Sequence, residues 1–479
     1  MDEKKEKDLA MGDTGDGFFD DAPSFEGENP DNMQKKQNPP YAPIPQRPYK
    51  KKEKSIWKIL GVISMVAVIF FCGMLTTWLC LDKEIRTLVK VKRVIDKEYY
   101  QDISDDDFYR VIFSAINDDL LDPYSKYMTD DEYYAMENNS AGARSDCGVK
   151  FSILLKESGQ QVMVYRVAEN SPAEVAGLQV GDQIVGFGLD EENITYSDDY
   201  ENGLKPFMAS IEDSQPFVFM IKRGDGESFS VQLSKGNYVE SYVQYRTNKT
   251  SYGFTGDGAL TYVEKGKALS CLADDTAYIK LSQFTGNAAV GMDYVMAQFK
   301  TDGMKNLVLD LRNNGGGYVE YVQYIARYFC KEAKQGNPVM AIADYGKSQE
   351  QYYAGGNVYS DYFAQDSRIV VLADNGTASA SESLIGCMLD YNTIEYSDIC
   401  LAERSGVAKT YGKGIMQTTF YLDMFKKDLI KLTVAELKWP VSGLSIHARG
   451  ILPEDGTQTV AEHYNIERET ENAIALLFS

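Results

Sequence analysis

The sequence predicts a mixed α/β fold with a largely parallel sheet in its C-terminal half, preceded by a β-rich segment, a helical segment and one transmembrane helix. Three observations predict this arrangement. Strands and helices alternate from Tyr278 to about Glu454, short strands between turns occupy Cys147 to Leu233, and an uncharged stretch runs from Ile59 to Leu81. A chain of 479 residues with 44% hydrophobic side chains can bury more than one core.

The N-terminal segment divides into a polar tail and an apolar helix. Residues 1–54 are rich in Asp, Lys, Asn, Gly and Pro, a composition typical of a disordered tail. Residues 55–81 are predicted to form a transmembrane helix, because the 23 residues 59–81 carry no charge and can cross a hydrocarbon core of roughly 30 Å. The lysines from Lys50 to Lys54 predict a single-pass protein of the cell membrane with a cytoplasmic N-terminus and an extracytoplasmic C-terminal part.

Charge and composition argue against several classes of function. A formal net charge of -22 argues against nucleic-acid binding, which needs clustered Lys and Arg to neutralise phosphates. The chain has only two histidines, His447 and His463, and no CxxC pair, so no metal site is expected. The seven cysteines are scattered and odd in number, which does not indicate a disulfide framework. The sequence implies no cofactor.

Residues 82–140 are predicted to form a helical N-terminal subdomain, since apolar side chains recur at helical spacing from Val91 to Ile95 and from Phe108 to Ile116. The turn DDLLDPYSKYMTDDEY ends this subdomain. The pattern then changes to the short strands VKFSILL, QQVMVYRV and PFVFMIKR, with a capped short helix and a glycine turn in SPAEVAGLQVGDQIVGF.

The C-terminal half alternates between the strands AYIKL, NLVLDL and RIVVLAD and helices near Ala289 to Phe299, Tyr318 to Phe329 and Ser381 to Leu389. This alternation favours a largely parallel sheet, in which functional residues gather at the carboxyl ends of the strands.

Two strand-to-helix turns in this half contain residues suited to chemistry. In VLDLRNNGGGY, a buried strand runs into Gly315 to Gly317, whose backbone N–H groups can closely approach a ligand. The Walker spacing GxxxxGK(S/T) is absent, so a nucleotide site is a weak interpretation. A flexible strand-to-helix turn explains the glycines about as well as a ligand-binding role does.

The second turn, VVLADNGTASASESL, places a run of small residues between an apolar strand and a helix. A hydroxyl at such an elbow stands near the helix N-terminus, where free N–H groups stabilise developing negative charge. Thr377, Ser379 and Ser381 each offer such a hydroxyl, and the local sequence alone does not separate them. A purely structural interpretation also holds, in which Thr377 or Ser379 is an N-cap and Glu382 completes a capping box.

A serine nucleophile needs a base, and a desolvated lysine can serve as well as a histidine. The segment TYGKGIMQ offers Lys413 between two glycines, with Gln417 four residues later. Histidine partners stay open because His447 and His463 exist. Residues 392–409, between the two motifs, are interpreted as a long loop.

Together, LDLRNNGGG, TASASE, YGKGIMQ, LKWPVSGLSIHARGILPE and DDLLDPYSKYMT, with SPAEVAGLQVGDQIV between them, resemble the C-terminal processing peptidases, a family of serine-lysine peptidases also called tail-specific proteases. The resemblance covers roughly residues 85 to 460. It implies an inserted β-rich PDZ domain at residues 145–235 and an α/β peptidase domain at residues 240–465.

The resemblance also implies a role for each matching residue. Ser379 would be the nucleophile, Lys413 the general base and Gln417 the residue that orients the lysine. The backbone N–H groups of Gly316 and Ala380 would form the oxyanion hole.

In the PDZ domain, Gly148, Val149 and Phe151 would bind a peptide, although Lys150 stands where the family usually has a second glycine.

The function implied is a membrane-anchored serine endopeptidase that cleaves protein substrates, recognising unfolded or C-terminal segments through its PDZ domain. The alternative is a PDZ-containing membrane protein with a binding or regulatory role, whose peptidase domain is catalytically weak. The expected partners are protein or peptide substrates and a membrane contacted by residues 59–81, without nucleic acid. The sequence leaves homo-oligomerisation open.

Overall fold

The structure is a computed structural model that describes residues 56–140, 143–156, 159–255, 261–265, 268–332, 337–422, 428–463 and 465–479. The predicted disordered tail, residues 1–54, lies outside the described residues. The chain forms two compact units, Met1–Tyr100 and Gln101–Ser479.

The first unit contains two helices, α1 (Ile56–Cys80) and α2 (Lys83–Glu98). The 25 residues of α1 span about 37 Å at the rise of an α-helix, and its apolar side chains are exposed. Within the described residues, the segment Trp57–Cys80 is the one helix that is long and apolar enough to cross a membrane.

The second unit begins with helices, as predicted, but also contributes a strand. Its first elements are α3 (Asp105–Ala115), a π-helical turn (Ile116–Leu120), β1 (Lys126–Met128) and α4 (Asp130–Ser140). Strand β1 lies inside the segment interpreted as a turn, and it pairs antiparallel with the distant strand Leu429–Lys438. A three-residue strand is too short to show a period in the sequence, which is why the pattern missed it.

The β-rich segment follows between two strands that pair with each other. Its elements are β2 (Ala143–Asp146), β3 (Val149–Lys156), β4 (Gly159–Val167), α5 (Pro172–Val175), β5 (Asp182–Gly188), β6 (Ile194–Thr195), a π-helical turn (Tyr200–Leu204), α6 (Lys205–Ser210), β7 (Pro216–Arg223), β8 (Ser228–Ser234) and β9 (Gly236–Val239). Strands β2 and β9 pair antiparallel, so the chain enters and leaves this segment side by side. The other strands form a separate sheet in the order β3-β4-β5-β7-β8, with β6 beside β5.

The C-terminal part alternates strands and helices. Its elements are β10 (Val243–Arg246), β11 (Ser251–Phe254), β12 (Tyr262–Glu264), β13 (Thr276–Leu281), α7 (Ala288–Thr301), β14 (Asn306–Asp310), α8 (Val319–Ala326), β15 (Val339–Asp344), β16 (Gln349–Tyr353), α9 (Tyr359–Tyr362), β17 (Ile369–Asp374), α10 (Ala380–Asp390), β18 (Ile399–Ala402), β19 (Ile415–Tyr421), β20 (Leu429–Lys438), β21 (Gln458–Val460) and α11 (Ile466–Leu477), with 3₁₀ turns at Tyr396–Asp398 and Pro453–Asp455.

The larger sheet has the order β12-β11-β10-β13-β14-β17-β18-β21. The run from β13 to β21 is parallel, which agrees with the prediction, whereas β10, β11 and β12 are antiparallel. A second, antiparallel sheet of β1, β20, β15 and β16, with β19 on β20, was not predicted. The fold is therefore a mixed α/β structure with two sheets in its C-terminal part.

The interpretation of residues 392–409 as a long loop was wrong. Four of these residues form β18, which is fully buried and pairs parallel with β17 and β21. The run ICLA is too short to be recognised as a strand from its sequence, but its burial beside β17 makes it part of the sheet. The stretch between the two motifs therefore contains a strand of the buried sheet, whereas residues 403–409 that follow it are partly or fully exposed.

Buried ion pairs hold the carboxyl edge of the larger sheet. Arg312 follows β14 and contacts Asp310 and Glu469, and Arg404 bridges Glu469 and Asp374. Burial alone would raise the pKa of Asp310, but Arg312 and Lys280 hold it well below its usual range. Because Glu469 belongs to α11, this network fastens the last helix to the ends of β14 and β17, from which the two glycine-containing turns emerge.

Candidate active site

A cavity of about 590 Å³ lies at the carboxyl ends of β14 and β17, where the two turns meet. The structure brings together here all five residues predicted for catalysis. Its lining includes Ser379, Lys413, Gln417, Gly316 and Ala380. Neither His447 nor His463 is among the described residues that line it.

Ser379 lies on a strained elbow between β17 and α10. Its backbone has φ 58 and ψ -114, a conformation that non-glycine residues rarely adopt and that often marks functional positions. A strand that ends in such an elbow presents a serine hydroxyl at the head of a helix, as in the nucleophile elbows of other hydrolases. Ser379 is also the N-cap of α10, so the structural interpretation is compatible with a role as nucleophile, which stays a prediction.

The two rival hydroxyls are bonded to the backbone. Thr377 Oγ1 donates to the Leu311 carbonyl at 2.9 Å, and Ser381 Oγ donates to the Asn314 carbonyl at 2.9 Å. Both side chains are fully buried, whereas Ser379 is partly exposed in the cavity. The geometry therefore favours Ser379 over Thr377 and Ser381.

Lys413 reaches the same cavity from the segment that precedes β19. Burial, reinforced by the charge of Lys431, lowers its pKa from 10.5 to about 8. Its amine lies 4.8 Å from the centroid of the Tyr124 ring. Lys413 makes no side-chain hydrogen bond or salt bridge to the residues that the structure describes, so a neutral amine here is available to accept a proton.

Glu382 connects the two predicted catalytic segments. Its Oε2 accepts hydrogen bonds from the backbone N–H groups of Ser379 and Lys413, each at 2.9 Å. Its Oε1 accepts from the Gly412 N–H at 2.8 Å and the Thr410 hydroxyl at 2.6 Å. Burial raises the pKa of this carboxyl, and the four donors partly oppose that shift.

The role of Glu382 was not predicted beyond a capping box. Its signal was present in the sequence, because it is the only charged residue between Ala380 and Leu389 in an otherwise small and apolar helix. Such a carboxylate, fully buried, must find several donors.

Gln417 lines the cavity but hydrogen-bonds away from the lysine. Its Nε2 donates to Thr433 Oγ1 at 3.2 Å, and Thr433 Oγ1 donates to Asp122 Oδ1 at 3.2 Å. The predicted orientation of Lys413 by Gln417 therefore has no direct hydrogen bond among the described residues, and it stays a prediction.

Gly316 packs directly against the elbow. Its φ is +100, and an added Cβ would lie 2.8 Å from Ser379 Cβ and 2.9 Å from the Ala380 nitrogen, so only glycine fits. Its N–H donates to Asn314 Oδ1 at 3.0 Å. One of the two predicted oxyanion donors is thus engaged within its own turn.

The three residues predicted for peptide binding lie at the start of the β-rich sheet, outside this cavity. Val149 begins strand β3, and of the described strands only β4 pairs with β3, which leaves its other edge open. Phe151 contacts the rings of Tyr200 and Phe219. Gly148 has φ +78, but its N–H donates to Asp146 Oδ1 at 2.7 Å. The other edge of β3 therefore has no described strand beside it, while the Gly148 donor is occupied.

The described residues contain no group of three or more His, Cys, Asp or Glu that could hold a metal ion. The donors that converge on the cavity are an amine, hydroxyls and backbone N–H groups. Such a set is suited to acyl transfer through a serine.

Comparison with known proteins finds similarity to serine peptidases. Residues 275–455 match the model of peptidase family S41. A probable CtpA-like serine protease of Staphylococcus epidermidis is 26% identical over 420 residues, covering 84% of this chain and 72% of the relative. One from Staphylococcus aureus is 24% identical over 398 residues, covering 83% and 69%.

Among solved structures, the photosystem II D1 C-terminal processing protease is 20% identical with a TM-score of 0.44, covering 79% of this chain and 93% of that protein.

Proposed function

The chain belongs to peptidase family S41, and we propose that it is a membrane-anchored serine endopeptidase with Ser379 as nucleophile and Lys413 as general base. One observation carries the proposal: a strained serine at a helix N-terminus shares a cavity with a lysine whose pKa is lowered to about 8. At that pKa, half of the amines are neutral near pH 8 and can act as a base.

The proposed reaction proceeds through an acyl-enzyme. Ser379 Oγ attacks the scissile carbonyl while neutral Lys413 takes the hydroxyl proton, and the resulting ammonium gives a proton to the leaving amine. Water then hydrolyses the ester with Lys413 again as base. The Ala380 N–H, in the first turn of α10, faces the developing oxyanion. Gly316 supplies the second donor after its N–H exchanges Asn314 Oδ1 for the substrate oxygen.

The Ser379→Ala variant is expected to lower the turnover of an unfolded protein substrate by at least about 10³-fold, because no other hydroxyl takes its place. The full chain in detergent is assayed on a fluorescently labelled unfolded protein. Ser383→Ala is the matched control, since Ser383 lines the same cavity on the next turn of α10. Equal cleavage by wild type and Ser379→Ala would exclude Ser379 as the nucleophile.

The membrane anchor is proposed for α1. Its length exceeds a hydrocarbon core of roughly 30 Å, and the Lys50–Lys54 cluster precedes it. The lysine cluster favours an N-terminus in the cytoplasm and a catalytic part outside it. Resistance of the full chain to alkaline carbonate extraction tests the anchor, and protease accessibility in spheroplasts tests the orientation.

Substrate capture is proposed at the open edge of β3. An extended C-terminal segment can add a strand to this edge, so that backbone hydrogen bonds provide affinity without fixing the sequence. Phe151 and Tyr200 border the expected position of the terminal side chain.

We expect the Gly148 N–H to exchange Asp146 Oδ1 for the chain end of the substrate. A substrate with a free C-terminal carboxylate should then have a KM about tenfold lower than the same chain with an amidated end, with kcat little changed. Steady-state kinetics on the paired substrates measure this difference. Identical KM values for the two substrates would remove C-terminal recognition from the proposal and leave the serine-lysine chemistry untouched.

A further inference from the structure

Tyr124 is an aromatic neighbour of the proposed base, and it comes from a segment far away in the sequence. It lies in the turn that follows the first helices of the second unit, and its ring centroid is 4.8 Å from Lys413 Nζ. Its hydroxyl is 3.2 Å from the hydroxyl of Tyr411, two residues before the lysine. Tyr124 therefore contacts the segment that carries Lys413 through both its ring and its hydroxyl.

The turn that carries Tyr124 is fixed by hydrogen bonds on both sides. Asp122 Oδ1 accepts from the Tyr124 N–H at 2.8 Å and from the Ser125 N–H at 3.1 Å. Ser125 Oγ donates to Asp122 Oδ2 at 2.8 Å and accepts from the Thr433 N–H at 2.9 Å. Because Thr433 lies in β20 and β1 pairs with β20, the turn is attached to the sheet that leads to Lys413.

The charge balance around Lys413 gives the ring a chemical role. When Ser379 Oγ loses its proton, that proton arrives on Lys413 Nζ and creates an ammonium in a site where burial disfavours charge. The charged groups that face the amine are Lys431 from β20, which opposes the ammonium, and Asp122 and Glu382, which favour it from beyond ion-pair distance. The face of an aromatic ring attracts a cation, most strongly where water is excluded.

We propose that Tyr124 is a positioning residue for the general base, holding the Lys413 side chain against its ring and stabilising the ammonium that forms when Ser379 is deprotonated. This inference rests on the proposed function. It adds a contribution from the N-terminal segment of the second unit to a site whose five proposed catalytic residues all follow residue 300.

The test compares variants of the full chain that keep or remove the aromatic ring. Tyr124→Phe keeps the ring face and is expected to stay within about threefold of the wild-type kcat. Tyr124→Leu removes the ring and is expected to lower kcat about tenfold. It should also move the acidic limb of the pH profile of kcat/KM to lower pH by about half to one unit, because the ammonium loses its partner.

A role in filling space predicts a different result. The Phe and Leu variants would then differ in thermal stability. The acidic limb of the Leu variant would stay where it is or, if water entered beside Lys413, move to higher pH. Either an unchanged limb or a shift to higher pH in Tyr124→Leu overturns the inference.

Tyr124→Trp keeps the test decisive if the Leu variant does not fold. A larger π face should move the limb to higher pH relative to Tyr124→Phe, and equal limbs for Trp and Phe count against the inference. Lys413→Met is assayed in parallel. If it retains activity, the serine-lysine function fails; if it is inactive while Tyr124→Leu matches wild type, the role of Tyr124 alone fails.

Discussion

The Lys413→Met variant is expected to lose about 10⁴-fold in kcat/KM, among the largest effects of any single change in this chain. Methionine has nearly the same length as lysine but cannot accept a proton, so Ser379 keeps its hydrogen at the start of the reaction. In the wild type, kcat/KM should rise about tenfold per pH unit up to about pH 8, where burial places the pKa of Lys413. Stopped-time assays of the full chain between pH 6 and pH 10 measure both effects.

Two further lysine variants make this prediction specific. Lys413→Arg keeps a positive charge but cannot become neutral in this pH range, so it should be as inactive as the methionine variant. Lys431→Met removes the like charge that helps to lower the pKa of Lys413, so the acidic limb should move to higher pH. More than about 1% residual activity in Lys413→Met, or an unmoved limb in Lys431→Met, would contradict the assignment.

The lowered pKa of Lys413 makes the stability of the protein depend on pH in a defined direction. Between pH 8 and 10.5 the unfolded lysine binds more protons than the folded one, so the wild-type free energy of unfolding rises with pH across this window. Below pH 8 the buried lysine costs stability. Lys413→Met should therefore melt at a higher temperature than wild type at pH 7, with a smaller difference at pH 10.

The Glu382→Ala variant is expected to lose activity by at least about 10³-fold and to be destabilised by on the order of 3 kcal/mol. The substitution leaves the N–H groups of Ser379, Gly412 and Lys413 without their buried acceptor. The two catalytic segments then lose their common attachment, and the elbow at Ser379 loses part of what holds its strained backbone. Urea unfolding and steady-state kinetics on the purified full chain give the two quantities.

A second substitution separates shape from hydrogen bonding. Glu382→Gln keeps the size of the side chain but turns one acceptor into a donor facing N–H groups, so it should recover little activity. Glu454→Gln, at an exposed carboxylate in the Pro453–Asp455 turn, serves as the control and should behave like wild type. Near-normal kinetics in Glu382→Gln would show that Glu382 does not hold the two segments together.

The parts of the fold that follow from local pattern were predictable from the sequence. The strand at Ile369–Asp374 begins with five apolar residues and is followed by a run of small ones, so both the strand and the elbow could be identified. The helix expected from Ala289 to Phe299 is observed at Ala288–Thr301 for the same reason. Periodicity and turn chemistry act over a few residues, and a sequence displays them directly.

The parts that depend on contacts between distant segments were not predictable. Glu382 accepts hydrogen bonds from Thr410 and Gly412, which follow it by 28 and 30 residues, and Tyr124 contacts Tyr411 across 287 residues. The antiparallel sheet around β20 combines β1 with strands that follow residue 338. Each of these contacts depends on packing, and no local spacing encodes it.

The burial of β18 changes how the spacing between Ser379 and Lys413 should be interpreted. The 33 residues between them in the sequence include a complete strand of the sheet, and the backbone N–H groups at both ends of the segment donate to the Glu382 carboxylate. Distance along the chain therefore says little about distance in the site. A change in the length of the connections on either side of this strand should leave the site intact, as long as the strand stays in register and the carboxylate keeps its donors.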